Sequence, residues 1–395
     1  MKVRLGDIAT LITKGTTPTS VGFDFTQSGI NFVKIESITE TGQFIPRKFA
    51  HINEICNEKL SRSQLAENDI LFSIAGAIGR VAIVKKDILP ANTNQALAII
   101  RVPEGTINYS FLVYALQSPT LLEQFEKQKQ GVAQLNLSLK NVGDFVIPDC
   151  PIEEQTYIAT VLDNISDLIA QHKVLLLKLD ELVKSRFIEL FGDPITNPMR
   201  WAKVPLSSCV ESIENGKSFV CEATPRSGER PAILKLSAAT YGYYRPEENK
   251  AMFDENQFIE PIAVRNGDLL FTRKNTPDLV GMCAYVYETP DRLMMPDLIF
   301  RINTMRQCNK IFLWKLINHD LFRECVKSLA TGSAKSMSNI SKERLFGLEI
   351  ILPPVELQNK FAAFVEQVDK SKFELQQSLE KLDNLKKSLM QKYFK

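Results

Sequence analysis

Histidine is scarce in this sequence, and its cysteines follow no pattern. Of 395 residues, three are histidine (His51, His172, His319) and seven are cysteine, with no two cysteines at C-x-x-C spacing. That excludes the familiar zinc sites and a disulfide framework. The cysteines read as reduced thiols of a cytoplasmic protein, several of them buried. No run of 18 apolar residues occurs, so no membrane span is expected. Asp7 interrupts the opening MKVRLGDIATLI, so no secretory signal is expected either. An excess of one charge is also missing, because 48 Lys and Arg against 46 Asp and Glu leave a net charge of +2. Any nucleic-acid-binding surface must therefore be local and balanced by acidic surface elsewhere. There is no G-x-x-x-x-G-K-[ST] phosphate loop and no G-x-G-x-x-G. The N-P-P-Y or D-P-P-Y tetrapeptide with which amino-methylating enzymes hold a base is absent. Three scattered histidines assemble no Ser-His-Asp triad. Catalysis, a metal and a bound cofactor are not expected of this chain alone.

What is present is a duplication. Displaced by about 200 residues, the chain aligns with itself. VRLGDIATLITKG, from Val3, meets VPLSSCVESIENG, from Val204, which places Gly15 over Gly216. Lys34 falls over Lys235, Asp69 over Asp268 and Gly131 over Gly332. At one constant offset, Ser138, Pro151, Glu153, Gln155 and Ala159 meet Ser341, Pro354, Glu356, Gln358 and Ala362. The same offset carries Leu179, Leu182 and Phe191 onto Leu382, Leu385 and Phe394.

Each repeat begins with a mixed domain, at residues 1–150 and 193–352. Short β-rich runs (INFVKI, DILFSI, RVAIVKK, ALAIIRV) are echoed by AILKLS, DLLFTR, GMCAYVY and LIFRI. Helical patterns follow the strands, which predicts an α+β fold. Each repeat ends in a long helix, at residues 151–192 and 353–395, opened by PIEEQ and PPVELQ. Gly192-Asp193-Pro194 stops the first. At about 38 residues each helix is roughly 57 Å long, more than a domain of this size can cover. The apolar spacing predicts a coiled-coil seam through Ile158, Leu162, Ile165, Leu179 and Leu182 in one helix. Phe361, Val365, Val368, Leu382 and Leu385 supply it in the other.

Several loops carry side chains suited to DNA. TKGTTPTS offers Lys14, Thr16, Thr17 and Thr19 to phosphates. NTNQ offers the amides of Asn92, Asn94 and Gln95 to adenine edges. TYGYYRPEENK supplies Tyr241 and Tyr243, either as a stacking surface or as an edge strand. TRKNTPD supplies Arg273, Lys274 and Asn275 after a strand. GSAKSMSNIS adds Lys335, Ser336 and Asn339. Each of these also reads as an ordinary turn or helix connector.

The paired helix starts, the Gly131 and Gly332 segments with Ser138 and Ser341, FGDPITNPMRW and the VRLGDIA-like openings resemble the specificity subunits of type I restriction-modification systems. The resemblance spans essentially the whole chain. It implies two target-recognition domains alternating with two long helices packed as an antiparallel coiled coil. Each domain would read one half of a bipartite site on double-stranded DNA. The helices would fix the spacer and dock methyltransferase subunits, two of them, with restriction subunits joining through the complex. S-adenosylmethionine, ATP and Mg would belong to those partners. Base-contacting residues do not transfer from the resemblance, because recognition domains of the family vary greatly.

Overall fold

The computed structural model describes residues 1–128, 136–331 and 337–395. It divides into two compact units, Met1–Val174 with Gln376–Lys395, and Leu175–Leu375. Each unit contains one mixed domain and a part of each long helix.

In the first unit, four antiparallel strands form a sheet in the order Leu11–Lys14, Leu97–Arg101, Ile70–Ser73, Val81–Ile83. A second sheet orders Ala50–Ile52, Ile30–Val33 and Ala91–Thr93, with the last pair parallel. The larger sheet is buried on both faces. Successive side chains of a strand point to opposite sides, so Ile70 and Phe72 join Ile100 and Phe111 in one core. Leu71 instead joins Leu97, Ile99 and Val33 in another. This explains why DILFSI reads as a continuous apolar run without alternation. Strand Lys2–Arg4 pairs antiparallel with Val146–Pro148 and so holds the chain's opening beside the approach to the long helix.

The second unit has the same strand orders. Val210–Asn215, Ile299–Thr304, Leu269–Thr272 and Cys283–Tyr285 make the larger sheet. Asn249–Ala251, Ala232–Leu234 and Leu293–Met294 make the smaller one. Phe271 and Phe300 face one core and Leu270 and Ile299 the other.

An ion pair with a buried aspartate ties each larger sheet to the turn before its third strand. Arg101 donates from Nε and Nη2 to the two oxygens of Asp69, both at 2.7 Å, and Asp69 also accepts from the Ala66 N–H. In the second unit Arg301 Nε donates to Asp268 Oδ2 at 2.9 Å, and the Arg265 N–H donates to the same oxygen. The two aspartates are those the repeat superposes.

The long helices run Ile152–Phe191 and Val355–Tyr393. A glutamine on the first turn clamps each one. Gln155 Oε1 accepts from the Asn108 N–H at 2.9 Å while Nε2 donates to the Cys150 carbonyl. Gln358 does the same with the Asn309 N–H and the Pro353 carbonyl. Asn108 and Asn309 are themselves the N-caps of helices Tyr109–Leu116 and Lys310–Asn318. The first long helix ends at Gly192, whose φ of 74° favours glycine. The Trp201 indole N–H donates to the Phe191 carbonyl at 2.9 Å, occupying one of the acceptors left at the helix end.

Of the expected seam, Ile158, Leu162, Ile165, Phe361, Val365 and Val368 are buried, and Leu179 and Leu382 are half-buried. Leu182 and Leu385 correct the expectation, being 46% and 47% exposed. The buried stripe steps by four residues, through Leu179, Val183, Phe187 and Phe191, so it passes one position to the side of Leu182. At the matching place in the other helix, Lys386 lies 5.5 Å from the Tyr114 ring. Within the second unit Phe187 meets Phe361 and Asp180 meets Lys372, so these two helix segments run antiparallel. The same buried residues also pack on the sheet and helices of the unit.

Candidate nucleic-acid interface

The candidate loops of the first unit converge at one end of its larger sheet. Strand Leu11–Lys14 ends where Leu97–Arg101 begins, because Lys14 pairs with Ala98. Strand Ile70–Ser73 ends at the same level, with Ser73 opposite Leu97. The turns after Lys14 and Ser73 and the turn before Leu97 therefore share one edge. Gly15 lets the first of these turns pack on the last. A Cβ there would stand 1.9 Å from the Thr93 carbonyl oxygen, so only glycine fits. The contact brings Thr17 to Gln95, whose Oε1 accepts from the Thr17 hydroxyl at 2.5 Å. Lys14, Thr19 and Gln95 are exposed, and Thr16, Thr17 and Asn94 are half-buried. Asn94 accepts from the Ala96 N–H and so shapes its own turn.

Asn92 is a correction. Its side chain is fully buried, donating to Asn57 Oδ1 at 2.9 Å and to the Leu60 carbonyl, and accepting from the Thr93 N–H. Both donors of this amide are spent and the side chain is sealed from solvent, so it cannot reach a base edge.

In the second unit the corresponding end carries Arg273, Lys274 and Asn339. Lys274–Asn275 is a two-residue strand paired with Ser338–Asn339. Arg273 donates from Nη2 and Nε to Asn339 Oδ1 at 3.1 and 3.3 Å, and its guanidinium lies 4.8 Å from the Phe300 ring. The fork is thereby held at the sheet end, half-buried. The neighbouring Glu343 carboxyl is held below its ordinary value by its own backbone N–H and the Ser341 hydroxyl, then by Lys342 and Arg273. Asn275 is a second correction. It is buried, donates to the Thr240 hydroxyl at 3.1 Å and accepts from the Thr276 N–H. Lys335 and Ser336 lie outside the described residues.

Tyr241 and Tyr243 stand on a turn, each 53% exposed. The Arg245 guanidinium lies 4.7 Å from the first ring and 5.5 Å from the second. Tyr244, next along the chain, turns inward to Thr289, and burial pushes its phenol up to about 12. Beside this cluster the Glu248 carboxyl is held low, first by the Ser237 hydroxyl and then by Lys235 and Arg245.

Sequence reasoning missed three positions that the repeat could have supplied. Gly216 packs on the Met295 and Pro296 carbonyls as Gly15 packs on those of Thr93 and Asn94. Ser218 and Asp297 therefore occupy the places of Thr17 and Gln95. Likewise Ala75 bridges Asn136 in the first unit, where Lys274 pairs with Asn339 in the second. Asn136 is exposed. Counting two residues on from each superposed glycine finds Ser218, and the constant offset of the helix repeat finds Asn136.

Among the described residues no cluster of three or more His, Cys, Asp or Glu is placed to hold a metal ion. No helix among them is long and apolar enough to cross a membrane.

This fold is that of type I restriction-modification S subunits. The crystal structure of such a subunit from M. genitalium covers the whole chain at a TM-score of 0.61 and 15% identity, matching 96% of that protein. A chain from a structure of complex assembly and conformational transition of the type I R-M system gives 0.56 at 18%, covering 100% of this chain and 97% of that one. Residues 1–181 match the family described as type I restriction modification DNA specificity domain. The chain is 27% identical over 203 residues to the EcoEI specificity subunit of Escherichia coli, half of this chain and 34% of that protein. It is 22% identical over 315 residues to the EcoKI specificity subunit of Escherichia coli (strain K12), 74% of this chain and 66% of that protein. The chain thus spans a third of one curated relative and just under two thirds of the other. A putative specificity subunit, MjaX of Methanocaldococcus jannaschii, matches at 23% over 383 residues, 92% of this chain and 85% of that protein.

Proposed function

We propose that this chain is the DNA sequence-recognition subunit of a type I restriction-modification complex. One observation carries the reading. Both units hold the same glycine-packed loop and hydroxyl–acceptor pair at the same sheet end, on a chain whose first 181 residues match a DNA specificity domain. The mixed domain of each unit, residues 1–150 and 193–352, is a target-recognition domain, one copy of a duplication, and reads one half of a bipartite site. The two long helices pair as an antiparallel coiled coil, set the spacer between half-sites and dock two methyltransferase subunits. Restriction subunits join through the complex. The chain itself catalyses nothing. S-adenosylmethionine, ATP and Mg serve the partner subunits, and the complex works in the cytoplasm.

The test is a gel shift at stated salt, because phosphate contacts make affinity salt-dependent. With its methyltransferase partner, the purified chain is expected to retain a duplex bearing two short blocks separated by a fixed gap, against an excess of unrelated DNA. Alone, it is expected to transfer no methyl group from S-adenosylmethionine to DNA. Retention indifferent to sequence, or methylation by the chain alone, refutes the reading.

A further inference from the structure

The hydroxyl–acceptor pairs of the two units are equivalent in position and different in chemistry. Thr17 stands two residues after Gly15 and donates to Gln95, two residues after the Thr93 carbonyl on which that glycine packs. Ser218 stands two residues after Gly216 and donates to Asp297 Oδ1, two residues after the Met295 carbonyl. Ser218 Oγ also accepts from the Asp297 N–H at 3.2 Å, so side chain and backbone of Asp297 are both held. An amide offers an acceptor and two donors, whereas a carboxylate only accepts. Both remain available, since Gln95 is exposed and the Asp297 side chain is 47% exposed. A carboxylate facing a duplex is repelled by phosphates unless a cation stands beside it. Lys274 Nζ lies 3.8 Å from Asp297 Oδ2 and supplies that charge.

We propose that Gln95 and Asp297 are the matched specificity determinants of the two half-sites, with Thr17 and Ser218 as their positioning residues. This rests on the DNA-recognition reading above. Asp297 accepts from an exocyclic amino group in the major groove, the N4 of cytosine or the N6 of adenine, and rejects the acceptor-only edges of guanine and thymine. Gln95 pairs with adenine by accepting from N6 and donating to N7.

The test is selection of bound duplexes from a randomised pool by the full chain, alone and with its methyltransferase partner, at fixed salt. The wild type is expected to enrich two separated blocks, one with cytosine or adenine at a position that Asp297→Asn then relaxes or changes. Which of the two bases is enriched identifies the amino group. For the wild-type site the variant loses about 5- to 150-fold in affinity. Its affinity for unrelated DNA does not fall, because a negative charge has been removed. The remaining positions of the same block are expected to stay, which shows that the second unit is folded in the variant, and the second block is expected to stay intact. Gln95→Glu is expected to alter one position in that second block only. If Asp297→Asn selects the wild-type pattern at every position with unchanged affinity, the assignment fails while DNA recognition stands. If the wild type enriches no sequence at all, DNA recognition fails and the assignment falls with it.

Discussion

Arg301 gives the larger sheet of the second unit four polar partners. Its side chain is 7% exposed and that of Asp268 9%. Besides Asp268 it serves Glu214 at 2.8 Å and the Pro261 and Ala263 carbonyls. Arg301→Ala strands Asp268 with only a backbone N–H for company. The expected cost is about 3–5 kcal/mol, the range for breaking a buried pair by removing one partner. Arg265 and Glu260 form an exposed pair at 3.4 Å, with side chains 60% and 70% exposed. Arg265→Ala is expected to cost at most about 1 kcal/mol. Both tryptophans, Trp201 and Trp314, lie in the second unit, so urea unfolding followed by their fluorescence reports this unit. Equal midpoints for the two variants contradict the argument. The repeat had already superposed Asp69 on Asp268. Their arginine partners lie 32 and 33 residues further on, joined by strand pairing that no local pattern encodes.

A polar bolt holds helix Lys310–Asn318 to the second long helix. Lys315 Nζ lies 3.8 Å from Asp369, which also accepts from the Tyr287 hydroxyl at 2.9 Å, and it stands 3.4 Å from the Trp314 ring centre. Burial pushes the Lys315 ammonium down from 10.5 to about 8, and Asp369 only partly restores it. A lysine depressed in the folded state is charged in both states below pH 8 and neutral in both above its ordinary value. Between these limits the unfolded chain binds more protons, so stability rises with pH. Each unit of depression corresponds to about 1.4 kcal/mol. Wild type is therefore expected to gain on the order of 3 kcal/mol relative to Lys315→Met between pH 7 and pH 10.5. Taking the difference between the two chains cancels the tyrosines that titrate in the same window. A difference that stays flat with pH, measured by urea midpoint, shows the ammonium to be hydrated. In the first unit the same helix–helix position is bolted by Tyr114, which donates to Asp163 at 2.8 Å. The apolar stripe announced both helices, but these bolts use unlike residues, so the repeat could not.

At the scale of the whole chain, each long helix contributes to both units, and the spacer role proposed for the helices can be tested directly. An added heptad keeps a 3–4 seam in phase and lengthens a helix by about 10 Å, which is about three base steps of 3.4 Å. Inserted after Leu175 and again after Ser378, it lengthens both helices at matching points of the repeat. Both half-sites are expected to stay the same while the gap between them grows by up to about three base pairs. Three base pairs also turn one site about a quarter of the way round the duplex, so loss of binding is the other outcome consistent with a ruler. Methylation mapping at single-base resolution decides it: full activity at the original gap shows that the helices do not set the distance.

The sequence by itself determined the repeat, the long helices with their starts and stop, and three strands of each larger sheet with the middle strand of each smaller one. These follow from local rules of periodicity, capping and glycine or proline breaks. It also marked Gly15 and Gly216, though not the carbonyls that make them obligatory. Tertiary structure alone decided which candidate amides stay free. Asn92 and Asn275 look as available in sequence as Asn94 and Gln95, yet both are spent on distant partners, Asn57 with Leu60 and Thr240. Long-range packing also decided where the last residues belong. Phe394 superposes on Phe191 in the repeat, but its ring packs on Phe111, 5.1 Å away, in the core of the first unit. A buried phenylalanine contributes about 1.5–3 kcal/mol only where a cavity of its shape exists, and such cavities are made by segments far apart in the chain.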